Sequence, residues 1–462
     1  MQKNISEAIR VYRRNKEEYF KDLEEFLQIK TISSDSQYRD EIREGADWIV
    51  QQFKSMGASE TKILETQKHP VVYGKIPSSK EDALTVLVYG HYDVQPPDPI
   101  DLWESPPFIP DTRDGNLYAR GASDMKGQFM IALNAIKAIK EIADLPVNFK
   151  FLVEGEEEIG SPSIKSFLEI NKDLFKSDFV LNLDAGMISK KKPTLVYGLR
   201  GLAYFEVEVK GPGQDLHSGL FGGVVFNPIH ALCKMIAEMK DENGVIQLPG
   251  FYDDVIPLTP EDKEALEKLG MDESFYKSQT NVDKLFGEKG FTPVERVGVR
   301  PTLDVNGIYG GYTGEGPKTV IPSIAKAKIS MRLVPDQSPE NVRNQLERFF
   351  EMHAPEQISW KIEMLSSDPA CITDPEYFAV RCFSESIEAI WGVEPVHQRG
   401  GGSIPIVSYM KKILGLESVL SGFSLPEDNI HSPNEKLDLD VFHKGVETVI
   451  HFIYNVSGDC LK

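Results

Sequence analysis

The sequence predicts an α/β protein, a mostly parallel sheet flanked by helices, interrupted by an inserted α+β domain. Three observations carry this. The runs ALTVLVYG, VNFKFLV and DFVLNLD are continuous, apolar and of strand length, with the helical segment FMIALNAIKAIKEI between the first two. Such runs mark strands buried on both faces, and their alternation with helices marks a parallel sheet. After residue 200 the texture changes: LAYFEVEVKG, AKAKISMRLV and ISWKIEML alternate apolar with polar residues, as half-exposed antiparallel strands do. Near residue 375 the first texture returns. The expected organisation is therefore one domain from 1–199 and 371–462, split by a second at 200–370. The length, 462 residues, already argues against a single compact domain.

In chain order, the first thirty residues read as an amphipathic helix with Tyr19, Leu23, Phe26 and Leu27 on one face. They are charged throughout and have no apolar core or small-residue cleavage site, so they do not read as a signal peptide. The strand and helix alternation follows. NPIHALCKMIAEMK is a helix with Pro228 at its start, and SPENVRNQLERFFEMH one with Ser338 at its N-cap and Pro339 in its first turn. Residues 241–300 are polar and acidic, carry few regular signals, and read as a long excursion. The chain closes with the helix EYFAVRCFSESIEAIWG, a glycine loop, the apolar run SIPIVSYM and a terminal helix.

Composition narrows the function. With 51 basic and 71 acidic residues the formal charge is −20, which opposes nucleic-acid and anionic-membrane partners. No apolar run is long enough to span a bilayer. Cys233, Cys371, Cys382 and Cys460 include no C-x-x-C pair, and the expectation is reduced, mostly buried thiols in a cytoplasmic protein.

The chemistry-bearing residues cluster just beyond the carboxyl ends of the buried strands, where open α/β sheets form their sites. GHYDV follows the first strand, EGEEEIGS the second, and NLDAG closes the third. His91 and Asp93, two apart in extended chain, share a face and suit a metal ligand with its orienting carboxylate, or a loop His paired with an acid. Asp124 in RGASDMKG reads as a helix cap or as a carboxylate aimed by a tight turn. Glu154, Glu156, Glu157 and Glu158 read as a solvated acidic run, or as clustered carboxylates that need compensating cations; adjacent residues of extended chain point oppositely, so one could bind metal while its neighbour shuttles protons. Asp184 is a strand-end cap or a ligand, and His431 a loop histidine. Two His and several carboxylates without a thiolate suit zinc, manganese or cobalt, and their number suits a carboxylate-bridged pair of ions. There is no G-x-S-x-G elbow, and RGGGSIP is neither a dinucleotide fingerprint nor a P-loop.

Taken with DLHSG, GPKTVIP, SMRLVP, GGSIP and IHSPNE, these motifs make the chain, from about residue 15 to its end, resemble the co-catalytic zinc peptidases that include carnosinases, aminoacylases, glutamate carboxypeptidases and succinyl-diaminopimelate desuccinylase. It is most similar to the carnosinase-like dipeptidase branch. The resemblance implies a catalytic zinc-peptidase domain with an inserted ferredoxin-like lid and dimerisation domain, a homodimer, and hydrolysis of a peptide bond in dipeptides or short peptides. It implies two divalent ions per subunit, zinc foremost: His91 and Asp184 on one, Glu157 and His431 on the other, Asp124 bridging. Asp93 would orient His91, and Glu156 would be the general base and acid. His217 would stabilise the oxyanion from the other subunit. Thr319, Arg332, Gly402 and Ser403 would bind the substrate's carboxylate end. Gly400 departs from the acidic residue that relatives often carry before the GGS turn. The alternative readings are an N-acyl-amino-acid deacylase or desuccinylase of the same family and, more remotely, a non-catalytic binding protein on the same fold.

Overall fold

The structure, a computed structural model, describes residues 2–458. The chain divides into two compact units. The first comprises the residues up to Tyr197, Thr373–His397 and those from Pro405 onward; the second comprises Gly198–Ile372 and Gln398–Ile404. The short return at 398–404, which holds Gly402 and Ser403, thus belongs with the second unit, although it is embedded in sequence that builds the first.

The first unit is built on the three apolar runs. Thr85–His91 pairs in parallel with Asn148–Glu154 on one side and Phe179–Asn182 on the other, and Ser418–Ser421 extends the parallel set beyond Phe179–Asn182. Val71–Ile76 adds antiparallel to Asn148–Glu154, followed by Glu60–Leu64, while the start of Thr194–Leu199 adds antiparallel to Ser418–Ser421. The core strands are apolar throughout because helices cover them: Lys126–Lys140 is buried at nearly every position, and Leu439–Val456 and Gln2–Gln28 pack beside it. The parallel register aligns the strand ends, so the loops after His91, Glu154 and Asn182 emerge side by side.

The second unit is a four-stranded antiparallel sheet in the spatial order Thr302–Gly310, Ile324–Leu333, Gly201–Lys210, Ser359–Asp368. With helices Pro228–Glu238 and Pro339–His353, its chain order is β-α-β-β-α-β, the ferredoxin-like arrangement. The alternation seen in LAYFEVEVKG is the burial alternation of that strand: Ala203, Phe205, Val207 and Val209 enter a core with Leu232, Ile329, Met331, Leu346, Phe349 and Phe350.

The structure adds to the sequence reading at three places. The 241–300 excursion contains helices Pro260–Lys268, Glu273–Thr280 and Pro293–Gly298. The apolar run SIPIVSYM, left without an assigned element, contains a short helix, Pro405–Tyr409. Cys382 is disulfide-bonded, so the expectation of four reduced thiols does not hold; Cys233 and Cys371 are outside any disulfide, and Cys460 lies outside the described residues. No helix among the described residues is long and apolar enough to cross a membrane.

Candidate metal centre

Six side chains of the first unit converge beyond the parallel strands. His91 ends its strand fully buried. Its Nδ1 donates to the main-chain oxygen of Asp93 at 3.0 Å, with the Asp93 carboxylate 3.6 Å away. A carbonyl only accepts, so Nδ1 carries a proton, and Nε2 is the nitrogen turned toward the carboxylates. That Nε2 faces Asp124 Oδ1 at 3.1 Å, Asp184 Oδ1 at 3.8 Å and Glu157 Oε2 at 4.0 Å. On the other side of Asp124, His431 Nε2 lies 2.9 Å from Asp124 Oδ2 and 3.1 Å from Glu158 Oε2. His91, Asp124 and Asp184 form one group with ligand atoms within 4.8 Å of one another, and Asp124, Glu158 and His431 form a second. Asp124 belongs to both.

The loops are tightly held. Asp184 is fixed by its amide donating to Asn182 Oδ1 at 2.8 Å. Asp124 is fixed through its own amide and that of Ser123, which donate to the buried Glu435 carboxylate at 3.0 Å each; Gly121 N and Arg120 Nη1 complete Glu435's shell. His431 sits in left-handed backbone at φ 62°, a cost for a non-glycine residue that persists where surroundings dictate it. Asp93 accepts from the amides of Glu157 at 3.2 Å and Glu158 at 3.0 Å, so the residue beside His91 also shapes the acidic turn.

Electrostatics record the crowding. Burial, then repulsion from Asp184, Glu158 and Asp124, pushes the Glu157 carboxyl well up. Burial likewise raises Glu158 and Asp184. For Asp124 burial opposes ionisation, but hydrogen bonds from His431 and His91 outweigh it and hold the carboxyl below its usual range. Hydrogen bonds to Asp124 and Glu158 push His431 up to about 10. So many carboxylates packed around two imidazoles need cations, and the nitrogen and oxygen donors fit a borderline divalent ion.

Two assignments shift by one residue. Glu158, not Glu157, lies against His431 and Asp124. Glu156 does not face the cluster. Its Oε1 accepts from Thr66 Oγ1, from His69 N at 2.9 Å and from Ser163 Oγ at 3.0 Å, and its Oε2 from Ser163 N at 3.1 Å. Glu156 is thus tied to the Thr66–His69 and Ser163 segments, and Glu157 is the carboxylate left beside the two groups.

The remaining expected residues lie in the second unit. His217 is exposed; its Nδ1 accepts from Gly219 N at 2.9 Å, and the next amide, Ser218 N, donates to the Thr319 carbonyl at 3.0 Å, which sets His217 and Thr319 on one short two-stranded antiparallel ribbon. Arg332 Nη1 donates to Ser403 Oγ at 2.9 Å, and Ser403 Oγ donates to the Arg200 carbonyl at 2.6 Å. Arg200 N donates to the Gly402 carbonyl at 3.1 Å. Sequence reading passed over Arg200, Glu158 as a ligand, and Glu435.

A buried histidine and an exposed one, each grouped with carboxylates and both groups sharing Asp124, define a class, the metallohydrolases. The chain belongs to Peptidase family M20/M25/M40, which it matches over residues 87–455. It is 32% identical to the Cys-Gly metallodipeptidase dug1 of Schizosaccharomyces pombe, over 99% of this chain and 100% of that one. It is 35% identical to the Beta-Ala-His dipeptidase of Homo sapiens, over 84% of this chain and 78% of the relative. Among solved structures, the dipeptidase Dug1p of Saccharomyces cerevisiae superposes with a TM-score of 0.84 at 28% identity, covering 99% of both chains. Human carnosine dipeptidase 1 gives 0.82 at 29%, covering 98% of both. These relatives place the chain in the carnosinase-like dipeptidase branch, among metal-dependent peptidases.

Proposed function

We propose that this chain hydrolyses the peptide bond of dipeptides, using two divalent ions held by His91, Asp124 and Asp184 and by Asp124, Glu158 and His431. The observation that carries the reading is the pair of ligand groups overlapping at Asp124. Zinc suits the donor set best, with manganese or cobalt as alternatives. Divalent ions bound by these residues would supply an acidified water and polarisation of the scissile carbonyl. Glu157 stands beside both groups, takes the proton from the attacking water and returns it to the departing amine, work that suits a carboxyl whose affinity for protons is raised. Asp93 holds His91 with Nε2 outward. In the second unit Arg332, with Ser403 and Gly402, offers a forked donor for a substrate carboxylate, and Thr319 lies on the His217 ribbon.

The reading includes a homodimer in which His217 serves the partner's site. The exposed apolar side chains of strand Thr302–Gly310, namely Val305, Ile308 and Tyr309, support such a contact. It also includes a cytoplasmic location, which the exposed Cys233 thiol favours and the Cys382 disulfide opposes.

Metal analysis of the purified protein, followed by assay of a panel of dipeptides and N-acyl-amino acids with zinc and with manganese, tests the proposal. About two ions per chain and turnover of dipeptides are expected. Turnover of acylated amino acids alone would replace this reading with the deacylase. Mixing His217→Ala with Glu157→Gln protein tests the partner role: hybrid dimers regain activity if His217 acts across subunits, and exchanging subunits that stay inactive refute it.

A further inference from the structure

The second unit holds a half-open cavity of about 320 Å³, lined in part by Arg200, whose Nε reaches the Gly401 carbonyl. Its wall carries Arg200, Lys240, Arg296 and Arg300 against only Glu288 and Asp304, a formal excess of two positive charges in a chain of −20. These charges are unequally spent. Arg300 makes a two-pronged ion pair with Glu288 at 2.8 and 2.6 Å. Lys240 stands loosely against Asp304 at 3.8 Å. Arg200 and Arg296 meet only carbonyl oxygens: Arg200 Nε donates to Gly401 O at 2.7 Å and Nη1 to Arg300 O at 3.5 Å, and Arg296 Nε donates to Glu288 O at 2.9 Å. Carbonyls satisfy hydrogen bonds without cancelling charge, and a sheltered guanidinium without a counterion is costly. Burial and then the neighbouring Arg332 cation act against Arg200's charge, and Asp304 and Tyr276 offset them only in part. Gly287 leaves the room: a Cβ there would come 2.6 Å from Arg296 Cδ.

We infer that this cavity is a binding site for a small dianion of the phosphate or dicarboxylate type, held between Arg200 and Arg296. Its volume is at the small end for ligand pockets and fits an anion of a few heavy atoms. The site is separate from the metal centre, all of whose side chains belong to the first unit. It communicates with the Arg332–Ser403 pair through Arg200, whose main chain holds the turn. An anion on Arg200 lowers the positive potential that Arg332 shares. Its occupancy therefore weakens binding of a substrate carboxylate, and reciprocally substrate weakens the anion. This consequence for substrate rests on the carboxylate role proposed for Arg332; the anion site itself does not.

The test is calorimetric titration of inorganic phosphate into the full, metal-loaded chain, comparing wild type with Arg296→Met and Arg296→Lys. Wild type should bind one more phosphate per chain than Arg296→Met, and Arg296→Lys, which keeps the charge, should recover it. Phosphate should raise the wild-type KM for a dipeptide to a plateau, about fivefold or more, with kcat unchanged, and the effect should vanish in Arg296→Met, whose kcat without phosphate stays at the wild-type value. Equal phosphate binding in wild type and Arg296→Met overturns the proposal, as does inhibition that rises without a plateau, which would place phosphate at the substrate subsite or the metals. A chain that hydrolyses no dipeptide would refute the proposed function while the titration still decides the anion site.

Discussion

A carboxylate tied down by hydrogen bonds at both oxygens and turned away from the cluster is poorly placed to ferry a proton, and this separates Glu156 from its neighbours. Glu157→Gln should keep its ions, read by elemental analysis, and lose about 10²–10⁴-fold in kcat. Glu156→Gln should behave differently: an amide NH₂ set against Thr66, His69 N and Ser163 leaves donors facing donors and costs about 1–3 kcal/mol of stability in denaturant titration, while folded protein keeps most of its turnover. The reverse pattern would restore Glu156 as the base. Glu158→Gln should retain about one ion in place of two. The histidines set the pH response. Without metal, His431 is held protonated up to about pH 10 by Asp124 and Glu158. An incoming ion must displace that proton, so affinity rises with pH below that value, by up to about tenfold per unit for each proton displaced. Competition against a chelator at pH 6.5 and 7.5 measures the slope, and a flat response would exclude His431 as a ligand.

At the scale of elements, strands were legible and turns were not. The buried parallel strands announced themselves as apolar runs, and the second unit's strands as alternation, because in both cases the pattern of side chains is the pattern of burial. The acidic turn was misread for a physical reason. Alternation of adjacent residues holds only while the chain stays extended, and the strand ends at Glu154. Glu157–Ile159 then winds into a 3₁₀ turn, capped by the Glu157 and Glu158 amides donating to Asp93, which carries both carboxylates toward the cluster and turns Glu156 away. The excursion helices had written signals, the capping boxes Thr259–Asp262 and Thr292–Glu295 with proline next in line. They are short and bury little, so no apolar stripe accompanies them. Glu435 left no local signal, since its partners are over 300 residues away. It joins the His431 loop to the Asp124 loop, so Glu435→Gln should weaken ions at both positions; a Kd shift confined to one would show that Asp124 is held by other means. Lys126 plays a comparable part for the first helix, donating to Phe26 O at 3.0 Å and Ile29 O at 2.7 Å near its carboxyl end. Lys126→Met should cost about 1–3 kcal/mol of stability.

For the whole molecule, two units with separate cores imply two unfolding transitions. All six cluster residues lie in the first unit, so chelation should lower that unit's Tm, as loss of any ligand specific to the native state does, and leave the other transition in place. Equal shifts in both would mean that the units melt as one. The −20 charge gives the same direction, since the acidic cluster loses its compensation when ions leave. The short return Gln398–Ile404 has a consequence for dissection. A contiguous 198–372 fragment keeps Arg200 and Arg332 but lacks the turn that both engage, so it is an unfinished fold in which each arginine loses its partner in that turn. Any genetic excision, graft or recombination of this unit must carry two pieces of gene rather than one. A crossover between the sequence positions 372 and 398 would deliver the arginines of one parent to the glycine turn of the other, and their compatibility would then be what selection sees.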